Sequence, residues 1–215
     1  MNGELVFARA GFGASAVPYL DGWDLQRALH ERRVGGEIPD TCLMLEHQPV
    51  YTAGRRTSPL DRPLANPGIP VIDVDRGGKI TWHGPGQLVG YPIFRLEGGE
   101  RDLHLYLRNL EEAIIRALAR FDLPAARKPD WTGVWTPDGA RKLASIGVAV
   151  KRWVTMHGFA LNVATDLARF TAINPCGLDA AVMGSMAGEL GRPPEMAAVK
   201  DAVQATVADV FGRRL

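Results

Sequence analysis

Residues 102–121 read DLHLYLRNLEEAIIRALARF. Leu103, Leu107, Leu110, Ile114, Leu118 and Phe121 recur at steps of three and four, the spacing of one helix face, and Pro124 stops the run. This predicts a long amphipathic helix in the middle of the chain. Before it stand short apolar runs at 41–46 (TCLMLE), 71–74 and 88–94, bounded by Gly and Pro and read as strands. After it come 133–135, 143–150, 153–156 and 158–163, again strand-like, the first two separated by the turn Pro137-Asp138-Gly139. Three further helices are expected. One covers 16–33, with a stripe of Val17, Leu20, Trp23, Leu25, Ala28 and Leu29 closed by Gly35-Gly36. A short one opens at Thr165-Asp166 and ends at Phe170, and a last one spans 194–211 with Met196, Val199, Val203, Val207 and Val210 on one side. Strands on both sides of a central helix, with poor strand–helix alternation, predict an α/β fold of α+β-like character: a mixed β-sheet core with flanking helices. A doubly wound nucleotide-binding sheet fits less well.

Working outward, the 215 residues suit a single domain over 1–215. A 46% hydrophobic and 23% charged composition is that of a globular protein and excludes a disordered, collagenous or coiled-coil chain. The net charge of +1 gives no general field toward nucleic acid or anionic membrane. The uncharged stretch 80–94 is broken by Pro85 and Pro92 and falls short of the roughly 20 apolar residues of a membrane span. The N-terminal residues lack the pattern of a signal peptide. Two cysteines, Cys42 and Cys176, make no disulfide framework and no zinc spacing. A reduced cytoplasmic protein is therefore expected, without metal or cofactor.

The chemistry concentrates in three places. Residues 76–88, RGGKITWHGPGQL, hold four glycines, two cations and His83. Gly77-Gly78 let backbone approach a ligand, and successive N–H groups there can cradle an anion, yet neither GxxxxGK[ST] nor GxGxxG is present. His83 could be a turn residue, a base or a ligand-orienting donor; a metal role is disfavoured because no second ligand stands at a suitable spacing. Cys42 inside TCLML reads as a core hydrophobe. Cys176, between Pro175 and Gly177, reads as a displayed and potentially nucleophilic thiol. Lys142, at the lip of the apolar run 143–148, is placed to move a proton. Thirty-four residues separate Lys142 from Cys176, and periodicity does not pair them.

Taken together, RGGKITWHGPGQLVGYP at 76–92, GVW at 133–135, RKLASIGV at 141–148, HGFALNV at 157–163 and NPCG at 174–177, after an EHxPVYTxGR-like segment at 46–55, resemble the lipoyl(octanoyl)transferases of lipoate biosynthesis. That family usually carries Gln and Tyr or Phe where this chain has Lys79 and Trp82. The resemblance covers nearly the whole chain. It implies a biotin/lipoate ligase-like catalytic domain and a Cys–Lys dyad carried over onto Cys176 and Lys142. The acyl-binding positions carry over as Arg76, Gly77, Gly78, Lys79, Ile80, Thr81, Trp82 and His83, then Ser145, Ile146 and Gly147, then Gly158, Phe159 and Ala160.

The resemblance further implies octanoyl-acyl carrier protein as donor. It implies as acceptors the lipoyl domains of 2-oxoacid dehydrogenase complexes and the glycine cleavage H protein. An octanoyl-cysteine thioester would be the intermediate, and no ATP would be consumed. On this view Gly147, Gly158 and Ala160 leave an apolar slot, and backbone N–H groups of Gly77-Gly78 or Cys176-Gly177 face the carbonyl oxygen. The pairs Arg55-Arg56, Arg141-Lys142 and Lys151-Arg152 could form a basic rim for acidic partners. The alternatives are an ATP-dependent lipoate or biotin-type ligase, a thiol hydrolase using Cys176 with His83 or His157, and a non-catalytic acyl-binding module.

Overall fold

A computed structural model describes residues 3–63, 68–175 and 178–215. Among these the strands form two sheets. The larger contains β1 (Leu5–Arg9), β2 (Asp40–Leu45), β6 (Gln87–Ile93), β10 (Val154–Asn162), β9 (Lys142–Lys151), β8 (Trp131–Trp135) and β7 (Ala126–Lys128), in that spatial order. Only β1 and β2 run parallel in it. The smaller sheet holds β4 (Val71–Asp73), β3 (Val50–Ala53) and β5 (Thr81–His83). The expected mixed-sheet core is present.

The central helix, α2 (Leu103–Ala119), follows its sequence signals: Asp102 caps it, accepting from the His104 and Leu105 N–H groups at 2.8 and 3.1 Å. Its apolar face, including Leu110, Ile114 and Leu118, packs with α4 (Met196–Val210) on one face of the large sheet against Phe94, Val134 and Leu161. In α4 the predicted Val199, Val203 and Val207 are buried. A short α3 (Met186–Leu190) precedes it. No helix among the described residues is long and apolar enough to cross a membrane.

On the other face α1 (Tyr19–Gly35) departs from its expected stripe. Leu20 and Leu25 are exposed, and the buried residues are Tyr19, Gly22, Gln26 and His30. The surface beneath mixes apolar and polar groups: Trp23 and Leu29 of the stripe pack half-buried against the Val50 and Leu45 clusters, while Gln26 accepts from the His157 N–H and His30 bonds to the Lys151 carbonyl. Gly22 is small because a Cβ there would lie 2.7 Å from the His47 ring.

Two other expectations are revised. The runs 153–156 and 158–163 belong to one strand, β10, in which His157 keeps its pairing despite a φ of 57°. Trp153, expected in a strand, joins Arg152 in a turn instead. Both have positive φ (52° and 57°) and form the two-residue turn from β9 into β10, a conformation usually signalled by Asn-Gly. The strand β5 lies inside the glycine-rich stretch that reads as a loop.

Candidate active site

A cavity of about 370 Å³ opens on the face of the large sheet opposite α2 and α4, at the lower end of the size range of small-molecule sites. Its exposed mouth includes Arg56, Asp130 and Thr132; its inner wall includes the buried Tyr19, His83, Tyr91 and His157.

Lys142 is 2% exposed and lines this cavity. Two local features aim it there. First, Val134 pairs with Ala144 and Trp135 with Lys142, so β9 has one more residue than β8. This bulge at Leu143 resets the alternation: Leu143 and Ala144 both enter the core, while Lys142 and Ser145 both face the cavity. Second, Gly133 on β8 has a φ of 132°, and a Cβ there would lie 2.7 Å from Lys142 Cε. The Gly133 N–H donates to Glu111 Oε1 of α2 at 2.9 Å, which anchors this close approach. The Lys142 ammonium lies 5.5 Å from the Trp135 ring centroid, and no described carboxylate stands within ion-pair distance of it.

The inner wall is polar by composition but largely closed by its own hydrogen bonds. Arg76 donates to Thr52 Oγ1 at 2.9 Å, and the Thr52 hydroxyl in turn bonds His83 Nε2 at 3.2 Å. His83 Nδ1 bonds Gln87 Oε1 at 2.7 Å; Gln87 Nε2 donates to Asn162 Oδ1, and Asn162 Nδ2 to the Gly184 carbonyl. Burial, reinforced by His47 and Arg76, pushes the His83 pKa down to about 3, so the ring is neutral. His47 bonds the Val17 carbonyl through Nδ1 at 3.0 Å and Tyr91 Oη through Nε2 at 2.6 Å. The Val17 carbonyl can only accept, so Nδ1 carries the proton and the Tyr91 hydroxyl donates to Nε2. Burial lowers the His47 pKa to about 4. His157 Nε2 donates to Asp75 Oδ1 at 2.7 Å, and Lys151 pairs with the other carboxylate oxygen at 3.2 Å. The His157 bond, aided by the Lys151 charge, holds the Asp75 carboxyl well below its usual range, while burial lowers the His157 pKa.

A buried lysine is thus aimed into an open cavity, and comparison with known proteins identifies the lineage. Residues 18–208 match the lipoyl protein ligase A/B catalytic domain. The chain is 52% identical over 206 residues to an octanoyltransferase of Thermobifida fusca, covering 93% of this chain and 87% of that one. This chain belongs to the lipoyl protein ligase A/B family, in its octanoyltransferase branch. Solved structures support the fold at low identity. A bipartite lipoate protein ligase from Thermoplasma acidophilum gives a TM-score of 0.73 at 14% identity, covering 100% of this chain and 86% of that one. A biotin protein ligase from Aquifex aeolicus gives 0.53 at 14%, covering 99% and 70%.

In this octanoyltransferase-family chain most of the residues singled out in the sequence converge. Arg76, Gly78, Lys79, Thr81 and His83 line the cavity with Lys142, and Ser145, Gly147, Gly158 and Ala160 line it from β9 and β10. Ile146 and Phe159 border it while packing into the helical core. Ile80 and Trp82 do not reach it: they are buried with Tyr51, Phe170 and Met183 in a separate cluster behind the small sheet. Gly77 is also outside the wall, and its N–H is engaged by the Val148 carbonyl at 3.0 Å, so it is no donor to a substrate oxygen. Gly147 and Gly158 do not simply leave room for an acyl tail. A Cβ on Gly147 would lie 3.0 Å from Arg76 Cδ, and one on Gly158 would lie 2.2 Å from the Gly90 oxygen.

Lys79, the family departure, pairs with Asp61 at 3.2 Å. His83 has both ring nitrogens engaged and so is not a free base. Cys42 is fully buried, which pushes its thiol pKa up. Cys176 and Gly177 lie outside the described residues. The basic pairs separate: Arg56 borders the mouth, whereas Lys151 and Arg152 pair with Asp75 and Glu31 at the far end of β9. Tyr19, Val89, Tyr91, Asp130, Trp131, Thr132 and His157 also line the cavity without having been singled out as binding residues. Only the aromatic density of WHGPGQLVGY hinted at Tyr91.

Proposed function

We propose that this enzyme moves an octanoyl group from a thioester on acyl carrier protein to a lysine of a lipoyl domain, with Cys176 as nucleophile and Lys142 as proton carrier, all within one catalytic domain over 1–215. The observation that carries this reading is Lys142: a buried ammonium in the cavity wall, without a carboxylate partner among the described residues, is kept for chemistry rather than for an ion pair. The described residues flanking Cys176 support the pairing. Gly184 donates its N–H to the Lys142 carbonyl at 3.0 Å, and Met183 bridges to Lys142. Arg141 shares the wall of a second hollow with Asn174 and Leu178.

The Cys176 thiolate attacks the thioester carbonyl; the carrier thiolate leaves and takes a proton from the Lys142 ammonium. The acceptor amine then attacks the octanoyl-Cys176 thioester, its proton passes to the neutral Lys142, and the Cys176 thiolate is released. Charges and protons balance without ATP, since amide formation from a thioester is downhill. The acceptors are lipoyl domains as a class, with those of 2-oxoacid dehydrogenase complexes and the glycine cleavage H protein as the specific candidates, and the reaction belongs in the cytoplasm.

Intact mass spectrometry after incubation with octanoyl-carrier alone tests the reading. One octanoyl mass is expected on the wild type and none on Cys176→Ala. Turnover that requires ATP, or an unchanged adduct on Cys176→Ala, overturns it in favour of a ligase or a different nucleophile.

A further inference from the structure

The cavity floor is a pair of rungs across the large sheet. In the first, Ser145 of β9 pairs with Ala160 of β10, which pairs with Val89 of β6. One side-chain repeat further along, Gly147 pairs with Gly158, and Tyr91 replaces Val89 on β6. The first rung is thus small or aliphatic, whereas the second carries two glycines and one large ring. Lys142 lies three residues from the first rung and five from the second, about 10 Å and about 16 Å along the strand. A lysine stem takes up about 6 Å of this, and the remaining distance, about 10 Å, is close to the roughly 9 Å of an extended octanoyl chain.

We infer that Tyr91 is the residue that ends the acyl site and sets its length, a specificity determinant whose ring stops the chain after about eight carbons. This rests on the proposed acyl transfer at Lys142. The ring is suited to act as a stop. It is 4% exposed, and its hydroxyl is tied back to His47, itself fully buried and fixed by the Val17 carbonyl, so the cavity meets aromatic carbon held in place. His157 meets the Tyr91 ring edge-on with centroids 6.4 Å apart, and Tyr19 packs on His47 behind it at 4.9 Å, so aromatic rings crowd this end of the cavity.

The test offers the enzyme an equimolar mixture of saturated acyl-carrier thioesters of six to fourteen carbons and reads the adduct distribution by intact mass. The wild type is expected to peak at eight carbons. Tyr91→Ala is expected to raise the twelve-to-eight ratio by at least about tenfold, since even one methylene discriminates on that scale. Tyr91→Phe, which keeps the ring, is expected to hold the maximum at eight. Val89→Phe, on the first rung, is expected to move the maximum to six. An unchanged distribution in Tyr91→Ala overturns the inference. If Tyr91→Ala does not fold, Val89→Phe decides alone, and an unchanged maximum there overturns it equally. Equilibrium binding of free fatty acids of the same lengths to the same proteins gives the length profile without any covalent step. A wild type that forms no adduct but binds eight-carbon acid best, with a longer optimum in Tyr91→Ala, therefore removes the Cys176 mechanism and leaves the stop intact.

Discussion

At the scale of single residues, the candidate site depends on how one lysine is aimed. Gly133 matters here for both its backbone and its missing side chain: its φ of 132° disfavours any other residue, and the Cβ of Ala would lie 2.6 Å from the Ala144 oxygen and 2.7 Å from Lys142 Cε. Gly133→Ala is expected to destabilise the protein by about 1–3 kcal/mol. Its acyl-adduct formation rate, by rapid-quench mass spectrometry, is expected to fall at least about tenfold. A normal rate with lowered stability would show that the lysine stem tolerates displacement. Lys142→Gln preserves the stem but carries no transferable proton. On the proposed chemistry its adduct rate falls by about 100-fold or more, while fatty-acid binding by titration stays within a few-fold. The motifs that carry the family resemblance point to Lys142 and to most of the cavity lining, Arg76, Gly78, Lys79, Thr81 and His83 with 145–147 and 158–160, but also to Gly77, Ile80 and Trp82, which lie outside it. The inward aim of Lys142 is not legible in them, because the bulge at Leu143 arises from unequal pairing with β8 and leaves no mark in composition.

At the scale of elements, α2 supports the site as well as the core. Its apolar periodicity and Asp102 cap are explicit in the sequence, but Glu111 looks like an ordinary surface residue of a helix. It is 1% exposed, holds Gly133 in place, and pairs with Arg108 at 2.7 Å and Arg127 at 3.3 Å. Glu111→Ala leaves the buried Gly133 N–H without its acceptor and should cost about 1–3 kcal/mol, read as a lower urea midpoint. The adduct rate should fall with it. A fall in stability with no change in rate would separate the helix–strand tie from the lysine's position. The helix α1 makes the converse point. Its leucines suggest an apolar stripe, yet Gln26 and His30 are buried because the strand surface it covers offers a backbone N–H and a carbonyl. Trp23 and Leu29 of the stripe still pack against apolar clusters, so a hydrophobic pattern identifies only the apolar part of a buried face that also meets polar backbone.

At the scale of the whole molecule, two sheets and α1 enclose a set of neutral imidazoles. His47 and His83 have pKa values lowered from 6.5 to about 4 and about 3 by burial, so both are uncharged in the fold and take up protons on unfolding below about pH 6.5. Where the unfolded chain binds more protons, stability rises with pH, so it falls as pH drops from about 6.5 toward 4 and is flat above that window. For His47 alone the loss is on the order of 3 kcal/mol over the full window. Urea midpoints between pH 7.5 and 4.5 check this, and a midpoint independent of pH would place these rings outside the protected core. The amino-acid sequence by itself determined the class of fold, the long central helix and most strands, because period, caps and turn residues act over a few positions. Tertiary structure alone decided that Ile80 and Trp82 turn away, that His83 is wired on both nitrogens, and that Tyr91 joins the cavity wall. Those outcomes depend on which atoms meet across dozens of residues, and local pattern carries no information about a partner that only folding brings within reach.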